Sequence, residues 1–349
     1  MMETGGIESH LREFCLHMST QVEMDLVVLN SAMLPETEDF FSKHCRKVFY
    51  GRNGRSYLLR LLWLIKTALT CRIGKYDAVY TNGQGNSVGM FLTLLGGHKK
   101  WIHHHHMAGD SKDQKTWTPG YRKTLSAATT IIACSKKNAL DMEKALGRII
   151  DTIPCFSRKV TLPEGLERTD RKIRFGYYGR LIPEKGIDHL CRLSEEADMN
   201  NAEFHIWGEG SAYPAAYFEN YKNLHYHGTF QGQDELARLI GSLDAFLLLS
   251  VHPEGLPICL LEAMSAGLPW LATDKGGIPD IAIDPNSTRV ISENSDYDEI
   301  KTAVKSFSND ISRGDVSKVA QQELYMKKFS AAALTKRWLS AFEIAEQNN

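Results

Sequence analysis

Residues 245–267 read AFLLLSVHPEGLPICLLEAMSAG. The first five residues are apolar and have the length of a buried strand, whereas from position 256 onward the apolar residues recur at three- and four-residue spacing, as in a helix. Pro257 suits the first turn of such a helix. This stretch therefore predicts a buried strand and a helix that are joined by a short polar loop.

The same strand-then-helix unit recurs on both sides of this stretch. In the C-terminal half, further strands are predicted at 173–178, 204–207, 224–226 and 269–272, and helices at 186–197, 234–241 and 256–266. The N-terminal half has strand candidates at 25–29, 47–50, 78–80, 100–105 and 130–134. Repeated units of this kind predict parallel, doubly wound sheets. Because 349 residues suit two domains, we expect an α/β fold with two Rossmann-like domains that face one another across a cleft.

The segment 157–174 is charged, lacks a clear period and is predicted to be the hinge between the domains. We expect an N-terminal domain at 1–157, completed by an amphipathic C-terminal helix within 331–349, and a C-terminal domain at 158–330. Open α/β sheets bind ligands at the carboxyl ends of their strands. The functional residues are therefore expected in the loops that follow the predicted strands.

The composition excludes several classes of protein. Apolar residues make up 43% of the chain and charged residues 24%, with a formal net charge of -1, which is typical of a soluble globular protein and does not suggest nucleic acid as a partner. The seven cysteines are scattered without a C-x-x-C pair, so neither a zinc site nor a disulfide framework is predicted. With no signal peptide and no apolar run of about 20 residues, we expect a cytoplasmic protein.

Two cations follow the predicted strand 173–178, in the motif Gly179-Arg180-Leu181 and at Lys185. Arg180 offers a planar fork of donors and Lys185 a compact charge, and together they could neutralise a diphosphate without a metal ion. The alternative is that both are solvated surface charges.

The second polar element is Glu254-Gly255-Leu256-Pro257, which opens the helix that contains Glu262. Its free N–H groups and the helix dipole attract phosphate, although such a turn is also a common helix start. At a rise of about 1.5 Å per helical residue, the two glutamates are on the order of 10 Å apart. One carboxylate could bind hydroxyls of a sugar and the other those of a ribose. The alternative makes both of them ordinary helix residues.

Taken together, these motifs resemble the retaining glycosyltransferases of family 4, which have the GT-B fold. The resemblance rests on the order and spacing of Gly179-Arg180-Leu181, Glu184-Lys185-Gly186, Trp207-Gly208-Glu209-Gly210, Glu254 with Glu262, and Gly276-Gly277-Ile278. It is strong from about 173 to 281 and looser in the N-terminal half.

The resemblance implies a role for each matched residue. It places Glu254 on the donor sugar as a catalytic residue and Glu262 on the ribose, with the diphosphate held by Arg180 and Lys185. The helix start at Gly255, Leu256 and Pro257 adds donor contacts, and the base pocket would lie at Gly208, Gly210 and Thr229. His225 and His227, on the preceding strand, are interpreted as packing residues.

In the N-terminal half, Gly5 and Gly6 resemble the family loop that approaches the donor phosphate or the acceptor. In the family this loop follows a first strand, but the chain begins four residues before it, so the first strand is apparently missing. A donor-facing histidine is expected at the end of the strand 100–105, where four histidines occur at 103–106. We assign His105 as the catalytic one, with His104 and His106 as alternates, and leave structural and metal-binding roles open.

A further departure is Cys155-Phe156, where the family often has Asn-Gly. The resemblance implies transfer of a hexosyl unit from a UDP- or GDP-sugar to a glycan or lipid-linked acceptor, with retention of configuration, in cell-surface polysaccharide biosynthesis. No metal and no cofactor beyond the nucleotide-diphosphate sugar are implied. The alternatives are a nucleotide-sugar epimerase on the same fold, or a catalytically impaired binding or partner subunit.

A membrane role is suggested by 43–75. Between Phe41 and Tyr76 the sequence has nine Lys or Arg residues and no Asp or Glu, around the apolar run 58–65. A basic amphipathic helix can lie on anionic lipid, so peripheral association with the inner face of the membrane is expected. The alternative is a domain helix with its apolar side on the sheet and its charges in water.

Overall fold

The computed structural model describes residues 5–29, 33–50, 56–85, 87–165, 172–282 and 285–343. The chain forms two compact units, one of Met1–Phe156 with Ala331–Asn349 and one of Ser157–Ser330. In the described parts of both units, strands pair in parallel and alternate with helices. The predicted α/β class is therefore confirmed.

The N-terminal unit begins with α1 (Gly6–Met18). Its further elements are β1 (Asp25–Val28), α2 (Pro35–His44), β2 (Lys47–Tyr50), α3 (Tyr57–Ile73), β3 (Val79–Asn82), α4 (Ser87–Leu94), β4 (Trp101–His105), α5 (Ser111–Thr116), α6 (Pro119–Ala127), β5 (Thr130–Ala133), α7 (Lys136–Leu146) and β6 (Asp151–Thr152). β1 and β2 form a two-stranded sheet, and β3, β4, β5 and β6 form a four-stranded sheet in that order.

The C-terminal unit contains one six-stranded sheet. Its elements are β7 (Ile173–Tyr178), α8 (Ile187–Ser194), β8 (Ala202–Trp207), α9 (Ala215–Phe218), β9 (Leu224–Tyr226), α10 (Gly232–Gly241), β10 (Ala245–Leu248), α11 (Ile258–Ser265), β11 (Trp270–Thr273), β12 (Thr288–Ile291), α12 (Tyr297–Arg313) and α13 (Val319–Lys328). The strand order is β12-β11-β10-β7-β8-β9. From β7 the chain winds outward through β8 and β9, and from β10 it winds outward in the other direction. The neighbours β7 and β10 therefore form the switch point of the sheet.

The predicted strands of both halves coincide with observed strands to within two residues at each end. None of the predicted strands given above coincides with β6 or β12. Both strands are short edge strands, and β12 includes an arginine, so neither shows the apolar run that marks a central strand.

The last helix, α14 (Ala331–Ala341), belongs to the N-terminal unit although it follows the C-terminal unit in the chain. Leu334 and Trp338 lie one helical turn apart and are both fully buried. The Trp338 ring meets the rings of Phe14 in α1 and Tyr80 in β3, each at 5.3 Å between centroids and nearly edge-on. The helix thus closes one face of the core of this unit.

We expect Trp338→Ala to lower the free energy of unfolding of the N-terminal unit by about 3–5 kcal/mol, because it leaves a large cavity among aromatic rings. The matched control is Ile149→Ala, where the side chain is 82% exposed and the change should stay within about 0.5 kcal/mol. Urea unfolding of both variants measures the difference. A loss below about 1 kcal/mol in Trp338→Ala would contradict the packing role of α14.

Candidate functional site

The loops that follow β7 and β10 meet at the switch point, where ligands of doubly wound sheets bind. The β7 loop runs from Gly179 to Gly186, and the β10 loop runs from Leu249 to Pro257. The N–H of Val251 donates to the carbonyl of Glu184 at 3.0 Å, which joins the two loops directly. This edge of the sheet therefore brings together the two polar elements that were singled out in the sequence.

Lys185 and Glu254 form an ion pair across these loops. The Lys185 Nζ atom lies 2.6 Å from Glu254 Oε1 and 2.8 Å from Oε2, and the Ser250 hydroxyl donates to Oε1 at 2.5 Å. Both charged side chains are largely buried, with 20% and 13% of their surface exposed. The sequence analysis assigned Lys185 to a diphosphate and Glu254 to a sugar, whereas the structure shows that the two groups also fix each other.

Arg180 lies at the same edge, next to Gly179 at the end of β7. Its side chain is exposed, and it forms no ion pair with any residue in the described ranges. A guanidinium in this position can bind an anion without first releasing a protein carboxylate.

Backbone contacts join the loops after β7, β8 and β9. The Gly208 N–H donates to the Gly228 carbonyl at 2.7 Å, and the Leu181 N–H donates to the Glu209 carbonyl at 2.9 Å. A Cβ atom on Gly208 would overlap the carbonyl oxygen of Gly179, and one on Gly210 would overlap that of Leu181. Glycine at these two positions thus lets the β8 loop pack backbone to backbone on the β7 loop.

The loop after β11 supports Glu254 in the same way. The Gly277 N–H donates to the carbonyls of Glu254 at 3.2 Å and Gly255 at 3.1 Å. Gly276 has a φ of +55°, and a Cβ atom there would overlap the Glu254 carbonyl oxygen. Gly276-Gly277 therefore supports the backbone that carries the candidate catalytic glutamate.

The structure places the helix start at Ile258, two residues later than predicted. Pro257 is the N-cap residue of α11, and it is buried together with Gly255 and Leu256. Glu262, in the second turn of the helix, is 2% exposed, and its Oε1 accepts from Arg158 Nε at 2.7 Å. The sequence analysis did not identify Arg158 as a partner of Glu262, because Arg158 lies in the stretch that was predicted to be a hinge. The assignment of Glu262 to a ribose stays a prediction.

A pocket of about 400 Å³ opens beside these loops, at the ends of β8 and β9 and against α10. It is lined by Trp207, His227, Thr229, Phe230, Glu235, Arg238 and Leu239. Thr229 lines this pocket, whereas Gly208 and Gly210 do not, and the assignment of these three residues to a base site stays a prediction.

His225 and His227, which were interpreted as packing residues, do not lie in a core. Both are exposed, since β9 is the edge strand of the sheet, and each stacks on a neighbouring ring. The His227 ring stacks on Trp207 with 4.3 Å between centroids. Burial, with the nearby His225 and His227, lowers the pKa of His205 to about 4. The pKa of His227 is also lowered, by the loss of water on the ring face that stacks on Trp207 and by the nearby His225. At neutral pH, His205 and His227 therefore present uncharged rings to the region of the pocket.

In the N-terminal unit, Gly5 precedes the first turn of α1 and its carbonyl accepts from the Ser9 N–H at 3.0 Å. Gly5 is the N-cap residue of α1 and has no side chain that could cap the helix, and Gly6 is exposed. A role of Gly5 and Gly6 in binding an anionic group stays a prediction.

His105 lies inside the N-terminal unit. Its Nδ1 atom is 2.7 Å from the Tyr121 hydroxyl, its Nε2 atom is 2.8 Å from Asp113 Oδ2, and the residue is fully buried. The alternates His104 and His106 are buried as well. The reason is that β4 lies between β3 and β5 and is covered on both faces. The predicted contact of His105 with a donor sugar stays a prediction.

We expect Gly276→Ala to destabilise the C-terminal unit by at least about 3 kcal/mol, because it combines a strained backbone with an overlap against the Glu254 carbonyl. Gly314→Ala is the matched control, since Gly314 has a φ of +76° and open space where a Cβ atom would lie, and only the backbone strain of about 1 kcal/mol remains. Thermal unfolding of both variants tests this. Equal losses of stability in the two variants would show that Gly276 does not support the Glu254 backbone.

Two family sequence models match the chain. The model described as "Glycosyl transferases group 1" matches residues 160–323, and the model described as "Glycosyltransferase Family 4" matches residues 4–156. The matched stretches follow one another and leave only a short segment between them.

Individual proteins agree with these matches. The chain is 21% identical over 356 residues to the poly(ribitol-phosphate) alpha-N-acetylglucosaminyltransferase of Staphylococcus aureus (strain COL), covering 92% of this chain and 71% of that protein. It is similar in structure to Anabaena Alr3699/HepE in complex with UDP-glucose, with a TM-score of 0.79, 16% identity and coverage of 98% and 97% of the two chains. The chain is also similar in structure to the apo form of the lipopolysaccharide outer core galactosyltransferase WaaB, with a TM-score of 0.69, 19% identity and coverage of 98% of this chain and 97% of that chain.

Proposed function

The chain belongs to glycosyltransferase family 4, the glycosyl transferases group 1, and has the GT-B fold; from this premise we propose that it transfers a hexosyl unit from a UDP-sugar to a glycan or lipid-linked acceptor. The transfer retains the anomeric configuration and serves the biosynthesis of a cell-surface polysaccharide. In this proposal the unit Ser157–Ser330 binds the donor, and the N-terminal unit binds the acceptor.

The observation that carries the proposal is the assembly of Arg180, Lys185 and Glu254 at the switch point, beside a pocket with an aromatic wall. A nucleoside diphosphate sugar has a flat base, two negative phosphates and a sugar with several hydroxyls. The pocket at Trp207 and Phe230 suits the base, the two cations suit the diphosphate, and the carboxylate suits a sugar hydroxyl.

The bond that breaks joins the anomeric carbon to the diphosphate, so negative charge grows on the leaving phosphate oxygens. Arg180 and Lys185 are placed to stabilise that charge, and they do so best at a partly buried edge where water screens weakly. No metal ion is then needed at the diphosphate. Glu254 has about four acceptor positions, of which Lys185 and Ser250 use three, and the remaining one accepts a bond from the sugar.

The choice of UDP is supported by the relatives. HepE was solved in complex with UDP-glucose, and the TarM structure, a further structural neighbour, has been solved in complex with UDP. The chain shares the fold of both proteins. Poly(ribitol-phosphate) and lipopolysaccharide appear in the names of two relatives, which supports a cell-surface acceptor.

We expect Glu254→Gln to lower kcat by about 100-fold, because one contact that orients the sugar is lost at the reacting centre. Arg180→Ala should raise the KM for the donor by about 10- to 100-fold, the value of a charge-assisted hydrogen bond of about 1.5–3 kcal/mol. The control is Arg313→Ala, since this exposed arginine ends α12, at the opposite edge of the sheet. The rate of UDP release from the donor is measured for all three variants. Unchanged rates in Glu254→Gln and Arg180→Ala would show that these residues do not form the donor site.

A donor panel identifies the nucleotide and tests the reaction class. UDP-sugars should raise the melting temperature of the chain by mass action, whereas GDP-sugars at equal concentration should not. Stabilisation by GDP-sugars alone would overturn the choice of base. Conversion of the donor to its epimer without UDP release would show an epimerase, and donor binding without any turnover would show a binding subunit.

Membrane association rests on α3. Leu58 and Ile73 are 62% and 74% exposed, and Leu59 and Leu62 are also exposed, so the alternative in which only the charges face water is wrong for these positions. The reason is that the unit buries only Leu64 and Ala68 of this helix. Arg60 and Lys66 share the exposed surface. An apolar surface with basic residues suits anionic lipid, and we propose that α3 holds the protein at the cytoplasmic face of the membrane that carries its acceptor. Among the described helices, none is both long and apolar enough to cross a bilayer.

We expect the chain to float with vesicles that contain phosphatidylglycerol and to stay in the soluble fraction with neutral vesicles. The double variant Leu58→Glu with Leu62→Glu should lose flotation, because it puts two negative charges into the apolar contact. Leu140→Glu is the matched control, since Leu140 is 56% exposed on α7. Failure of the unmodified chain to float with anionic vesicles would refute membrane docking and leave the donor chemistry untouched.

A further inference from the structure

Two histidines and two cysteines meet inside the N-terminal unit, at the carboxyl edge of its four-stranded sheet. His104 lies near the end of β4 and His106 just beyond it, Cys134 follows β5, and Cys155 follows β6. All four side chains are buried. β4, β5 and β6 are neighbours in the sheet, and their pairing brings together residues that are far apart in the sequence. We call these four residues the His2Cys2 cluster.

The spacing of the cluster matches a tetrahedral metal site. Cys134 Sγ lies 3.3 Å from Cys155 Sγ, 3.4 Å from His104 Nε2 and 3.8 Å from His106 Nδ1. Cys155 Sγ lies 3.4 Å from His106 Nδ1. Zinc bonds of about 2.3 Å to sulfur and about 2.0 Å to nitrogen, at tetrahedral angles, separate two sulfurs by about 3.8 Å and a sulfur from a nitrogen by about 3.5 Å. All four ligand atoms lie within 4.8 Å of one another, and the four distances given above differ from the tetrahedral values by about 0.5 Å or less.

We propose that the His2Cys2 cluster binds one Zn²⁺ through His104 Nε2, His106 Nδ1, Cys134 Sγ and Cys155 Sγ. Two cysteines and two histidines in tetrahedral arrangement are a donor set that zinc prefers. Four protein ligands leave no position open for water or substrate. The metal therefore has a structural role and ties the ends of β4, β5 and β6 together.

The charge balance favours a bound cation. Two thiolates, two neutral imidazoles and one Zn²⁺ have no net charge, so their burial leaves no uncompensated ion. Zinc binds cysteine as the thiolate and histidine as the neutral ring, so binding would release the protons of the two thiols.

The contacts around the cluster suit this assignment. With the metal on Nε2, His104 donates its Nδ1–H to the Tyr80 hydroxyl, 3.1 Å away, as zinc-bound histidines usually do to an outer partner. Without metal, His104 Nε2 would instead donate to the Ile153 carbonyl at 3.2 Å. That arrangement would leave the buried His106 ring with weak S–H contacts, and its Nε2 atom has no partner among the described residues. A metal bond at Nδ1 would anchor this ring.

The proposal also gives a reason for two features that the sequence left unexplained, the histidine run and the Cys155-Phe156 departure. The sequence analysis predicted no zinc site because no two cysteines lie close in the chain. A second group, Glu203 with His205 and His225, also has metal-ligand spacing. The Glu203 carboxylate already accepts a hydrogen bond from Lys172 at 2.9 Å, so a metal ion would have to compete with the lysine for this ligand.

The test uses the full chain, purified under reducing conditions, loaded with zinc and then desalted. Elemental analysis should find about one zinc per chain, and Cys134→Ser and Cys155→Ser should each retain less than about a tenth of that amount. The control is Cys45→Ser: Cys45 and Cys15 are also a buried pair with 3.9 Å between sulfurs, but they belong to no metal-ligand group in the described chain. His225→Ala controls for the second group. Both controls should keep the zinc.

Cobalt loading of the unmodified chain gives an answer even if the cysteine variants do not fold. Two thiolates on tetrahedral Co²⁺ give intense visible bands and sulfur-to-cobalt charge transfer, which the second group cannot produce because it has no cysteine. A chain that takes up no zinc and shows only the spectrum of hydrated cobalt would overturn the proposal. So would a Cys134–Cys155 disulfide that persists under reducing conditions, or zinc that is retained in both cysteine variants and lost in His225→Ala.

Discussion

Backbone lies directly on backbone where the central strands of the C-terminal sheet end, and the candidate donor site depends on that close approach. Gly208 packs on the β7 loop and Gly276 packs on the carbonyl of Glu254, at separations that leave no room for a Cβ atom. Backbone hydrogen bonds join these loops, and the ion pair of Lys185 with Glu254 joins the β7 and β10 loops as well. The backbone bonds position both loops whether or not a ligand takes part of this ion pair.

The two units use the carboxyl edges of their sheets in different ways. In the C-terminal unit the edge carries glycines, an exposed arginine and an ion pair with partial access to solvent, which is the character of a binding surface. In the N-terminal unit, β4 lies between two other strands, and its end carries buried histidines. His105 bonds to Asp113 and Tyr121 at once, and a polar network that is satisfied in this way stiffens a core. The histidine run thus builds the interior of the unit.

The helix α3 has apolar side chains around most of its circumference, but the unit that carries it buries only one side. The second apolar side stays in water next to basic residues, which costs free energy unless another surface covers it. In our proposal anionic lipid covers this exposed side of α3, whereas Leu64 and Ala68 on the buried side pack inside the unit.

The sequence by itself determined the α/β class, the position of nearly every strand and the motifs of the donor site. It could do so because apolar runs, helical spacing and glycine at points of close backbone approach are local properties of the chain. The tertiary structure alone decided which loops are neighbours. It pairs Lys185 with Glu254 and Arg158 with Glu262, it gathers the His2Cys2 cluster from three strands, and it leaves His227 exposed at a sheet edge. Each of these outcomes depends on residues that are distant in sequence, and the environment of a side chain is set by its neighbours in space.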